Sequence, residues 1–116
     1  MVKPEEYLTN LRLGSEAALS YFMDIYSHNL HFFAYKLVRD KDSIPEIISE
    51  SFVKLWHHRT QFYTVDELKS FLYIVVRNSC LDQAKKGRER YDHRQMEEAL
   101  LLPHPENDIL TKIIHT

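Results

Sequence analysis

The chain has 116 residues, of which 44% are apolar and 28% charged, with two glycines and four prolines; that suits one domain with a real core and excludes a disordered chain. A lone cysteine, Cys80, excludes an intramolecular disulfide and points to a reducing compartment. No apolar run approaches bilayer-spanning length or a signal-peptide core, so a soluble, intracellular protein is expected.

In chain order, Pro4 fits the first turn of an opening helix, Gly14 marks its end and Ser15 can cap the next helix. Ala18, Phe22, Ile25 and Tyr26 form an apolar stripe over 15–27, and Leu30, Phe33, Ala34, Leu37 and Val38 form another over 28–40. The turn between them is weakly marked, so two helices and one longer bent helix both fit. After the polar break at 39–42, Ser43 and Glu46 have capping-box spacing, with Pro45 in the permissive first turn. The helix begun there buries Ile44, Ile47, Ile48, Phe52, Leu55 and Trp56, leaving Glu46, Ser49, Glu50, Val53 and His57 on an acidic outer face.

Residues 58–63 (HRTQFY) lack helical period yet hold two aromatics, Phe62 and Tyr63. Thr64 and Glu67 then form a second capping box, opening a long helix whose Leu68, Phe71, Leu72, Val75 and Ser79 make a buried stripe. Lys69, Tyr73, Arg77 and Lys85 or Lys86 lie elsewhere on its surface. Residues 68–94 carry seven basic side chains (Lys69, Arg77, Lys85, Lys86, Arg88, Arg90, Arg94) against Asp82, Glu89 and Asp92, a balance of +4 within a chain whose formal charge is −2. A basic segment in an acidic chain can bind a polyanion, although a solvated helix end reads the same way. Beyond Arg94 a weaker amphipathic stretch is broken by Pro103 and Pro105, and a last helix is expected over 107–116. No strand pattern occurs, so the expected fold is all-α, a compact bundle of about four helices with a C-terminal linker.

The sequence offers no catalytic constellation. Gly14 and Gly87 stand alone, so there is no phosphate loop. His28 with His31, and His57 with His58, lack cysteine or carboxylate partners at ligand spacing and read as surface histidines; no metal or cofactor is expected. Cys80 has no marked base and reads as a buried structural thiol.

Residues 42–56 (DSIPEIISESFVKLW) followed by 70–86 (SFLYIVVRNSCLDQAKK) resemble conserved region two of bacterial RNA polymerase sigma factors, most closely the extracytoplasmic-function (ECF) group. Residues 13–40 (LGSEAALSYFMDIYSHNLHFFAYKLVRD) are similar to that group's opening helices, so the resemblance covers about residues 11–90. It implies a sigma factor domain over 1–94, without catalysis or a small-molecule substrate, that directs core RNA polymerase to promoters from the cytoplasm. The helix over 43–57 would dock on the β′ clamp helices through Glu46, Ser49, Glu50, Val53 and His57. The loop and helix after it would recognise and melt the minus-ten element through Phe62, Tyr63, Tyr73, Arg77, Asn78, Lys85, Lys86 and Arg88, with Arg77 and Asn78 matching the family's Arg-Asn pair. Residues 95–116 would be an acidic linker and the start of a missing helix-turn-helix domain, and an anti-sigma factor is a further partner implied. The reading from a different class is a helical protein-interaction module that does not read DNA.

Overall fold

The structure is a computed structural model that describes residues 3–86, with side chains through Gln83. These residues form helices α1 (Pro4–Arg12), α2 (Glu16–Tyr35), α3 (Ile44–His57) and α4 (Val65–Lys86), with 3-10 turns at Lys41–Ser43 and Arg59–Gln61. The fold is all-α. Side chains of Lys85 and Lys86, Arg88, and everything expected over 95–116 lie outside the described residues.

The joint between α1 and α2 is made by backbone chemistry. Gly14 takes φ +96°, where a side chain would be strained, and its amide donates to Leu11 O while that of Ser15 donates to Asn10 O. These two bonds satisfy carbonyls that the end of α1 would otherwise leave bare. Ser15 then caps α2, its Oγ accepting from the Ala18 amide at 3.1 Å.

Of the two readings for 15–40, the structure takes the single helix. Ala18, Phe22, Leu30 and Ala34 are buried and Tyr26 is half-buried, so a four-residue step runs unbroken through Ser27 and His28. Ile25, expected in that stripe, sits one position off it and is 41% exposed. The helix end is held by Lys41, whose ammonium donates to Tyr35 O and Val38 O and lies 4.0 Å from the Tyr35 ring centroid.

The expected capping box on α3 does not form. Ser43 has helical φ and ψ (−80°, −15°), incompatible with the extended backbone of a capping residue, and makes no side-chain cap bond. Asp40, extended at φ −79° and ψ 93°, caps the preceding 3-10 turn instead, accepting from the Asp42 amide at 3.1 Å. The buried face of α3 is the expected one apart from a half-buried Trp56 and the addition of Ser51, whose hydroxyl donates to Ile48 O at 2.6 Å.

The Thr64–Glu67 box does form. The Glu67 amide donates to Thr64 Oγ1, and Glu67 Oε1 accepts from the amides of Thr64 and Tyr63, each at 3.1 Å. From there α4 packs against α1, α2 and α3. Its buried set is accordingly wider than a stripe: Leu68, Ser70, Phe71, Leu72, Ile74, Val75, Val76 and Cys80, with Ser79 only half-buried. A helix surrounded on three sides leaves solvent a narrow row, and that row places the site.

Candidate nucleic-acid and protein interfaces

Two surfaces emerge, on different helices. On α3, the turns that bury Ile44, Ile47, Ile48, Phe52 and Leu55 turn Glu46, Ser49, Glu50, Val53 and His57 outward, and all five are exposed. Glu46 and Glu50, one turn apart, line an open groove of about 260 Å³ closed on its far side by Ser79, Asp82 and Gln83 of α4. Ser43 ties the two helices there: its hydroxyl donates to Asp40 O and lies 2.6 Å from the Gln83 side-chain amide. Three carboxylates against the single cation of Lys54 make the groove acidic. Asp82 and Gln83 are additions that sequence spacing did not offer, because only the packing of α3 on α4 brings them beside Glu46.

The second surface starts at the 58–64 loop and runs along α4. Phe62, expected to stack on a base, is fully buried, its ring centroid 5.0 Å from that of Phe71. It has no face to offer a ligand; it anchors the loop to the core. Tyr63 beside it points the other way and is 68% exposed. His58, half-buried 5.8 Å from the Phe71 ring, has its pKa lowered by burial and by neighbouring His57 and Lys54. Arg59 stacks on Trp56 at 4.3 Å and donates to Trp56 O at 2.9 Å.

Along α4, Lys69, Tyr73 and Arg77 are spaced by four and lie in one row. Lys69 is exposed, while Tyr73 and Arg77 are half-buried. Tyr73 is held edge-on by Phe33 of α2, centroids 5.1 Å apart, and its partial burial raises its pKa. Arg77 is less well satisfied. Burial lowers its pKa, Nε is enclosed without a hydrogen-bond partner among the described residues, and one terminal nitrogen is 3.5 Å from Asn78 Oδ1. A desolvated, incompletely paired guanidinium is a standing demand for an acceptor.

Cys80 is fully buried, and burial pushes its thiol up to about 12 against a small opposing pull from Lys41, which makes it inert rather than nucleophilic. His28, His31 and His57 are exposed, and among the described residues no group of three or more metal-binding side chains is placed to hold an ion. No described helix is long and apolar enough to cross a membrane.

Fold and surfaces together define an all-helical binding domain with an acidic face and a separate aromatic and cationic row. The chain belongs to the sigma-70 region 2 family, whose model matches residues 22–90. Membership supports a sigma factor's role in promoter recognition and transcription initiation, in a non-enzymatic family that works with core RNA polymerase and promoter DNA. No curated protein and no solved structure matches the chain.

Proposed function

We propose that this domain docks on the β′ clamp helices of core RNA polymerase through α3 and opens the minus-ten element through the loop and outer row of α4, as ECF sigma factors do. On the docking side, Val53, 54% exposed, gives an apolar centre, with Glu46 and Glu50 beside it for a basic partner and Ser49 and His57 completing the face. On the DNA side, Tyr63 and Tyr73 stack on bases freed by melting, Arg77 and Asn78 hold a flipped base, and Lys85, Lys86 and Arg88 take phosphates. The reading extends to the cytoplasm as the working compartment, to an anti-sigma factor as regulator, and to residues 95–116 as the linker from the 1–94 domain to a helix-turn-helix domain.

The observation that carries this reading is Arg77. Arg59 also has an enclosed, unpaired Nε but is bonded to Trp56 O at 2.9 Å, whereas Arg77 has only Asn78 Oδ1 at 3.5 Å among the described residues. A surface that grips a nucleotide gains from such a guanidinium, because the missing acceptor arrives with the ligand. The alternative of a pure interaction module gives Arg77 and Asn78 no task. Replacing both, Arg77→Ala with Asn78→Ala, abolishes promoter opening by the reconstituted polymerase while the helical circular dichroism signal shows that the domain still folds. Undiminished opening by that variant refutes the assignment.

A further inference from the structure

Helix α1 precedes the segment that the family model matches, yet it packs on the Arg59–Gln61 turn of the loop proposed to meet DNA. Beside that contact, Arg12 in the last turn of α1 reaches the two residues that follow the turn, Phe62 and Tyr63. Its Nη1 donates to Phe62 O at 2.8 Å, and its guanidinium carbon lies 4.2 Å from the centroid of the Tyr63 ring. One side chain therefore grips both the backbone of the loop and its outermost aromatic ring.

Tyr63 is fixed from the other direction as well, its amide donating to Glu67 Oε1 at 3.1 Å. The outcome is unusual for a loop side chain: a ring that is 68% exposed is held at its backbone and across a face. A purely solvated loop gains nothing from that order, which costs rotamer freedom. A binding loop does gain, since ordering completed before the ligand arrives is not subtracted from affinity. A guanidinium suits the task because it is planar, permanently charged and weakly hydrated, so it stacks on a ring while keeping N–H groups for a carbonyl in its own plane.

We propose that Arg12 is a positioning residue for unpaired DNA bases, holding the Tyr63 ring by one face so that the other is presented for stacking. This rests on the reading of Tyr63 as a base-stacking residue. It places part of the recognition machinery on α1, about fifty positions upstream of the ring it controls.

The test uses polymerase holoenzyme assembled with the full chain and a fluorescein-labelled single-stranded 12-mer selected from a random pool by the wild-type holoenzyme, with binding read as anisotropy. Tyr63→Ala is expected to weaken binding about tenfold, within the range for loss of one base–aromatic stack. Arg12→Ala is expected to weaken it about two- to fivefold, the scale of a lost cation–π contact, in the wild-type background and not at all in the Tyr63→Ala background. Arg12→Gln, which keeps a donor for Phe62 O but not the planar cation, reproduces Arg12→Ala and replaces it if the alanine variant does not fold. An equal loss in both backgrounds means that Arg12 serves the fold alone, and no loss means that the ring needs no holder; either overturns the proposal. Wild-type binding by Tyr63→Ala locates the failure one step earlier, in the stacking role of Tyr63, and removes the proposal with it.

Discussion

The outer face of α3 and the outer row of α4 are both helix surfaces turned to solvent, yet they are built in opposite ways. On α3, Glu46, Ser49, Glu50, Val53 and His57 are exposed, and neither glutamate side chain has a hydrogen bond or ion pair among the described residues. On α4 and its loop, Tyr73 is wedged by Phe33, Arg77 is half-buried, Tyr63 lies on Arg12, and Phe62 has gone into the core. The first is a face of free side chains on a helix whose other side does the folding. The second shares its residues with the core, so its chemistry and the stability of the domain are coupled there and separate on α3.

Four measurements break or sharpen that contrast, beginning with the largest effect. Phe62→Ala empties a fully buried site beside Phe71 and costs about 3–5 kcal/mol of unfolding free energy by urea denaturation; a loss under about 1 kcal/mol would show that the loop is not anchored by this ring. Glu50→Arg does the reverse, weakening binding to a β′ clamp-helix fragment at least tenfold by calorimetry while the melting temperature stays within a degree or two. A fall in stability there would erase the distinction between the two faces. Thr64→Ala removes the acceptor for the Glu67 amide and costs about 1 kcal/mol, with faster amide exchange confined to the first turn of α4.

The last effect appears only at alkaline pH and concerns Cys80. Its folded-state thiol, raised by burial from 9.0 to about 12, stays protonated where the unfolded thiol ionises. The unfolded state then binds fewer protons, so stability is fully present below about pH 9 and falls as pH rises from 9 towards 12. Tyr26 and Tyr73, also raised by burial, act in the same direction at higher pH. Melting followed between pH 8 and 10 should show a decline that Cys80→Ala lessens, and the folded wild type should resist iodoacetamide at pH 8.

Much of this was legible because it is local. Gly14, Ser15, and Thr64 with Glu67 act within five residues of themselves, so their spacing already contains the physics of the helix ends. The two sides of α3 follow from helical period alone. Ser43 shows where spacing stops sufficing: the residues fit a capping box, but the 3-10 turn before α3 gives Ser43 a helical backbone and hands the capping to Asp40. Phe62 and Tyr63 show a second limit. They are adjacent aromatics in a segment without period, and only the position of Phe71 across the core decides which is buried. The buried arc of α4 is wider than the stripe its spacing predicts for the same reason, since three neighbouring helices cover it.

The enclosure of α4 also bears on how such a domain can diversify. Leu68, Phe71, Leu72, Val75, Val76 and Cys80 are committed to the core, and any change among them is felt in folding. Lys69, Tyr73, Arg77, Asn78 and Ser79 are what remains at the surface of the same turns. On the reading proposed above, a change in base preference would be confined to that short row, because every other position of those turns is held by folding.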